Sequence, residues 1–277
     1  MRRLRRPFLW LVLSALAGVA AAAQTSRPHL PDPGEIGKDV MWIPSDDVMV
    51  TRMLDVARVT ARDSVLDLGS GDGRVVIGAA RRGARALGVE YNADLVEYAA
   101  WRAQKARVAG RARFVKGDLF EADLSQATVI TLFLLEENNL KLRPKLLALK
   151  PGTRIVSNTF AMGGWKADRE LSASVTEGCA AYCVAYLWIV PAKVGGVWKL
   201  PAGELALKQS FQVVTGTLKT GGKETAIEGR MNGDQISFKA GNAQYSGRVT
   251  GDTIKGTVKS GGGAGEWSAA RAARAAS

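Results

Sequence analysis

Histidine occurs once in these 277 residues, as His29, and cysteine twice, as Cys179 and Cys183. A serine or cysteine triad needs a histidine beside its nucleophile, and a multi-histidine metal centre needs several. With His29 alone in a proline-rich segment, both chemistries are excluded and no metal site is expected. On one strand, cysteines four residues apart hold their Cα atoms about 13 Å from each other, too far for a bridge. Two buried thiols are therefore expected, unless the backbone between them is irregular. Acidic residues are also scarce at the start: none precedes Asp32.

That start carries Arg2, Arg3, Arg5 and Arg6, then the apolar run Pro7–Val19, then Ala21-Ala22-Ala23 before Gln24. A basic segment, a short apolar core and a small-residue site in this order read as a secretory signal over residues 1–23. The apolar run is short of the roughly 20 residues of a comfortable membrane span. Arg5-Arg6-Pro7-Phe8-Leu9 also resembles the twin-arginine export signal, with Leu4 where Ser or Thr is usual. The expected destination is periplasmic or secreted, with membrane anchoring as the alternative. The formal charge of +12, from 38 basic and 26 acidic side chains, favours acidic surfaces or a membrane-proximal partner. Nucleic acid is not indicated, because no stripe of Lys and Arg alternates with aromatics.

Residues 24–40 hold Pro28, Pro31, Pro33, Gly34 and Gly37 and read as an extended linker. From 41 to 190 short apolar runs alternate with helical patterns. Strands are expected at Val65–Leu68, Ala86–Val89, Ala112–Val115, Thr128–Leu134, Thr153–Ser157 and Leu187–Val190. Helices are expected at Arg74–Arg82, Ala93–Val108 and Leu140–Leu149. Such alternation implies an α/β fold, a doubly wound sheet with parallel pairing through right-handed crossovers. Residues 194–277 change character. They are rich in Gly, Thr and Lys, and Gly229–Ile236 is echoed by Gly247–Ile254 around the turn residues Asn232-Gly233 and Gly251-Asp252. A small antiparallel β domain, as a sandwich or partial barrel, is expected there.

The chemistry-bearing stretch is Asp67-Leu68-Gly69-Ser70-Gly71-Asp72-Gly73-Arg74. Glycines at alternate positions after a strand let the backbone turn sharply and come close to a ligand. The following helix then presents its free N–H groups to that ligand. Glu90 ends the next strand, where a carboxylate can accept hydrogen bonds from both hydroxyls of a ribose. Pyrophosphate binders space their glycines as G-x-G-x-x-G, whereas here the spacing is G-x-G-x-G. The anion at Asp67 suits a ligand carrying an ammonium group rather than a diphosphate. Asp118, after the third strand, stands where a carboxylate can accept from an adenine amino group.

Asp67–Arg74 with Gly88-Val89-Glu90 resembles the first two motifs of class I S-adenosylmethionine-dependent methyltransferases. Asp118-Leu119-Phe120, Ala127–Leu135, Leu142-Arg143-Pro144 and Pro151–Ser157 extend the likeness to the lysine N-methyltransferases of the ATP-synthase c subunit, and more distantly to non-SET histone lysine methyltransferases. The likeness covers residues 39–190, with departures at Ser45-Asp46 and Glu136; the C-terminal β unit lies outside it. It implies a Rossmann-like, seven-stranded methyltransferase sheet, S-adenosyl-L-methionine as cofactor and a protein lysine as acceptor.

The cofactor set implied is Asp67, Gly69, Ser70, Gly71, Asp72, Gly73, Glu90, Tyr91, Asp118 and Leu119. The acceptor rim is expected from Trp42, Ile43, Pro44 and Thr131, with the strand end Thr131–Glu136. Asp46 or Glu136 could orient the acceptor amine, unless either is a helix cap. Asn138-Asn139 read as a solvent-facing loop pair that could offer amide acceptors. Trp165 and Trp188 are cation contacts or core, and Trp198, Tyr245 and Trp267 are a binding face or the β unit's core. A cofactor made in the cytoplasm must be supplied to an exported enzyme, so a non-catalytic binding module on the same fold is the competing reading. An NAD-linked oxidoreductase is disfavoured by the glycine spacing and the missing catalytic histidine.

Overall fold

A computed structural model describes residues 26–273. The leader reading of residues 1–23 falls outside the described residues. Among those described, no helix is long and apolar enough to cross a membrane.

The order of elements begins α1 (Asp47–Val56), β1 (Ser64–Leu68), α2 (Arg74–Arg81), β2 (Arg85–Glu90), α3 (Ala93–Lys105) and β3 (Ala112–Lys116). It continues β4 (Val129–Leu132), α4 (Glu136–Leu146), β5 (Arg154–Asn158), β6 (Arg169–Ser172) and β7 (Val184–Ile189). These seven strands form one sheet in the order β3-β2-β1-β4-β5-β7-β6. All pairings are parallel except those of β7, which runs antiparallel to β5 and β6. β1 and β4 are buried along almost their whole length because they lie in mid-sheet with both faces covered. On one face Met49, Met53 and Leu54 of α1 pack with Val76 and Ile77 of α2. On the other, Leu142 and Leu146 of α4 pack with Trp165 and Trp188. Both tryptophans are fully buried, so they are core and not cation contacts.

Helix α4 starts at Glu136, four residues before the expected start. Glu136 and Glu137 sit in its first turn, where negative charge complements the helix dipole. Asn138 and Asn139 are buried on it, which corrects their reading as a solvent-facing loop. Strand β6, with every residue at least partly exposed at the sheet edge, lacked the apolar alternation that would have announced it.

The rest of the chain closes into an antiparallel eight-stranded barrel rather than a sandwich or an open barrel. Its strands are β8 (Gly196–Leu200), β9 (Gly203–Ser210), β10 (Val213–Thr220), β11 (Lys223–Asn232), β12 (Gln235–Ala240), β13 (Ala243–Thr250), β14 (Thr253–Ser260) and β15 (Gly263–Arg271). The sequence echo is two equivalent hairpins: Asn232 pairs with Gln235 around Gly233-Asp234, and Thr250 with Thr253 around Gly251-Asp252. Trp198 and Trp267 fill the interior, with Tyr245 half-buried beside them, so these aromatics are core. Phe211, in the turn between β9 and β10, stacks on Trp165 at 5.9 Å, and Gln212 donates to the Lys166 carbonyl at 2.6 Å. The barrel is thereby seated against the sheet's α4 face.

Candidate active site

Five residues, Gly69 to Gly73, join β1 to α2 at the carboxyl edge of the sheet. Gly69 and Ser70 both donate their N–H to the Val89 carbonyl, at 2.9 and 3.1 Å, which clamps the loop to the end of β2. Gly71 is in the left-handed region at φ 51°, and a Cβ there would sit 2.5 Å from Trp42 Nε1. Gly73, at φ 80°, lies against Phe114 and Ala99 with no room for a side chain. Only glycine satisfies both demands at these two places.

Glu90, the last residue of β2, is oriented from both sides. Gly71 N–H donates to its Oε2 and Asn92 N–H to its Oε1, each at 2.9 Å. Asp67 in β1 is wholly enclosed and accepts a 2.6 Å hydrogen bond from Thr131 Oγ1. Burial pushes the Asp67 carboxyl up to about 7, against the pull of Thr131; the charges of Glu90 and Asp72 push the same way as burial. Arg74 and Arg102, the nearby cations, do not relieve it, because both are bound to Asp72. A buried carboxylate left without a cation suits a ligand that brings one. Ser70 Oγ is buried against Gly88 with no hydrogen-bond partner.

A single cavity is lined by Asp67, Gly69, Ser70, Gly71, Asp72, Glu90, Tyr91, Asp118 and Leu119, so nearly all of the expected cofactor set meets there. Gly73 stands just behind, as the residue preceding α2. Asp72 contributes main chain only, since its carboxylate accepts from Arg74 at 2.7 Å and from Arg102 at 2.5 Å. Asp118 accepts from Phe120 N–H at 2.8 Å and is paired with Lys38. That contact holds its carboxyl below the usual carboxylate range.

Lys38 belongs to the segment expected to be a linker. In the structure residues 34–42 fold back as a short hairpin, with Gly34 N–H on the Trp42 carbonyl at 2.8 Å and Trp42 N–H on the Glu35 carbonyl at 2.9 Å. The hairpin covers the cavity, with the Trp42 indole over Gly71 and Lys38 5.5 Å above the Tyr91 ring. Trp42, Ile43 and Pro44 line the same cavity.

Three expected residues are elsewhere. Thr131 is not at the rim: it is fully buried in β4 and positions Asp67. Asp46, the residue before α1, turns away from the cavity and accepts from Ala180 N–H at 2.8 Å. Glu136 is exposed and accepts from Gly163 N–H at 3.2 Å. Neither carboxylate faces the cavity, because each is drawn to a loop far off in sequence.

Aromatic rings stand where those carboxylates were expected. Phe133, after β4, lines the cavity and lies 5.1 Å from Tyr182 and 6.2 Å from Phe160. Asn158 at the end of β5 donates to Oγ of Ser45, a cavity-lining residue, at 3.0 Å. Phe160 was findable by the rule that ligands collect at the carboxyl ends of parallel strands; Tyr182 had no such signal. It sits between Cys179 and Cys183, which are bridged, with Cα atoms 5.8 Å apart. This corrects the expectation of two thiols: the cysteines flank a loop before β7 instead of sharing a strand.

These features match known proteins. The model of the ANTKMT methyltransferase domain matches residues 67–169. A protein-lysine N-methyltransferase of Saccharolobus islandicus is 41% identical over 166 residues, covering 59% of this chain and 95% of that protein. The human lysine N-methyltransferase of the ATP-synthase c subunit is 34% identical over 128 residues, 46% of this chain and 54% of its own length. Against that relative the chain spans about half. Among solved structures, an RNA methyltransferase of Salinibacter ruber in complex with S-adenosyl-L-homocysteine is 47% identical, with a TM-score of 0.51, covering 55% of this chain and 96% of that one. The chain belongs to the family of S-adenosyl-L-methionine-dependent methyltransferases that includes the Saccharolobus relative.

Proposed function

We propose that this enzyme N-methylates a lysine side chain of a protein. The observation that carries the reading is an aromatic cluster: Phe133 lines the cavity beyond β4, on the opposite side of β1 from Asp118, and Phe160 and Tyr182 pack against it. A long alkyl stem ending in a cation suits such a cluster. The lysine acceptors named for the Saccharolobus and human relatives support it.

Bound at the strand ends, S-adenosyl-L-methionine supplies a methyl group on a sulfonium and needs no acid to leave. Asp67 and the Gly69–Gly73 main chain would hold its amino-acid part, Glu90 the ribose, and Asp118 with Leu119 the adenine. Trp42 and Phe133 would exclude water from the transfer line, so that the acceptor nitrogen is held in one approach. Desolvation against apolar walls lowers an amine's pKa. The acceptor nitrogen therefore sheds its proton to solvent as it enters, without a carboxylate base. The decisive experiment supplies the purified protein with labelled cofactor and either octalysine peptide or a mixed-sequence RNA oligonucleotide. Label in the peptide is expected; label in the RNA alone would overturn the lysine assignment.

We also propose an exported location. The leader motif supports it, and so does the Cys179–Cys183 bridge, since structural disulfides belong mainly to oxidising compartments. The intact mass of the native protein tests it: cleavage after Ala23 is expected, and an uncut chain with free thiols would contradict it.

A further inference from the structure

We infer that Tyr182 is an acceptor-binding residue and that the Cys179–Cys183 bridge sets its position; the inference rests on the lysine reading above. Tyr182 and Thr159 both have left-handed backbones, at φ 60° and 62°. A tyrosine and a β-branched threonine rarely adopt that conformation, and such residues persist where the surroundings over-determine them, commonly at functional sites. Thr159 N–H donates to the Val184 carbonyl at 2.7 Å, which ties the start of β7 to the end of β5. The bridged loop is anchored further by Ala180 N–H on Asp46 and by Cys183 O accepting from Ala173 N–H at 2.9 Å.

The outcome is a ring held against Phe133, which lines the cavity. Tyr182 meets Phe133 edge-on at 66° and Phe160 at 6.3 Å, while more than a third of its surface stays open to solvent. A core tyrosine would not be left so exposed, and a surface tyrosine would not be pinned by a bridge in a strained backbone. The π face is the feature that an incoming ammonium can use, since Asp46 and Glu136 are spent on other loops.

Steady-state methylation of octalysine by the full enzyme tests this. Tyr182→Ala is expected to raise KM for the peptide about fivefold, with kcat within about twofold, as loss of a cation–π contact implies. Tyr182→Phe keeps the π face and is expected to restore the wild-type KM. The double variant Cys179→Ala, Cys183→Ala is expected to share the KM increase, while calorimetric affinity for S-adenosyl-L-homocysteine stays unchanged in all three. Cys179 is buried, so wild-type enzyme treated with a dithiol serves if the double variant fails to fold. The dithiol gives two electrons and two protons to the bridge and becomes a disulfide itself. An unchanged KM in Tyr182→Ala, or a Phe variant as poor as the Ala variant, would overturn the role of Tyr182. An unchanged KM after loss of the bridge would overturn the positioning. A wild-type enzyme that methylates RNA and not octalysine would instead remove the reading on which both rest.

Discussion

Thr131 Oγ1 donates to Asp67 Oδ1 across the β1–β4 pairing, and both side chains are buried. The contact is the one direct hydroxyl support of a carboxyl that burial lifts to about 7. Below that value the carboxyl is protonated in the free protein. Its contribution to stability is therefore full below the unfolded value near 3.8 and is lost as pH rises through about 7. A ligand ammonium opposes protonation, because it favours the carboxylate. Affinity for S-adenosyl-L-homocysteine is expected to rise about tenfold from pH 6 to pH 8, with proton release below pH 7. Titration calorimetry in buffers of different ionisation enthalpy checks both. Asp67→Asn should flatten the profile, and Thr131→Val should move its midpoint upward.

Glu90 holds the loop and, on this account, the ribose. Glu90→Ala is expected to cost about 1–3 kcal/mol of cofactor affinity, from lost charge-assisted hydrogen bonds. Calorimetry at pH 8 reads it. Unchanged affinity would remove Glu90 from the ribose site.

Asp72 stands in the same motif but has a different task. It is 5% exposed and gathers Arg74 and Arg102, so Asp72→Asn leaves two guanidinium groups short of a partner. Both arginines retain some solvent, which places the expected stability loss at about 2 kcal/mol, below that of a fully buried pair. Denaturant unfolding measures the loss. Ligand affinity of the folded fraction should stay within about threefold.

The division between Asp67, Glu90 and Asp118 on one hand and Asp46 and Glu136 on the other shows what spacing can and cannot reveal. The first three lie at or just past the carboxyl ends of parallel strands, so strand alternation alone puts them at one edge, whereas the antiparallel β7 and the exposed edge strand β6 were not announced by that alternation. Asp46 and Glu136 also lie near that edge. Their direction is decided by Ala180 and Gly163, over 130 and nearly 30 residues away, and no local pattern encodes such contacts. The same holds for Cys179 and Cys183: four-residue spacing forbids a bridge on a strand and permits it in a loop, and only the tertiary fold decides which applies. Asn138 and Asn139 misled for a local reason, because buried asparagines inside a helix carry a turn's composition.

Lys38 is paired with Asp118 from the hairpin over the cavity, so on the adenine assignment proposed for Asp118 the pair is expected to open as the cofactor enters. Lys38→Met is expected to speed association of S-adenosyl-L-homocysteine up to about fivefold, the upper range for one exposed ion pair. Stopped-flow fluorescence of Trp42, which lies over the glycine loop, would follow it.

Asp46 and Glu136 are expected to be dispensable for methyl transfer. Asp46→Asn and Glu136→Gln should each keep kcat within about twofold and leave the pH profile of kcat in place. A tenfold fall in kcat for either, with its basic limb displaced, would reinstate a carboxylate base.

A crystal structure with S-adenosyl-L-homocysteine decides whether the strand-end cavity between Asp67 and Glu90 is the cofactor site. The ribose hydroxyls are expected on Glu90, the ammonium beside Asp67 and the sulfur facing Phe133. Ligand bound elsewhere, or a cavity that stays closed by Trp42 and Lys38 at saturating ligand, would contradict that placement.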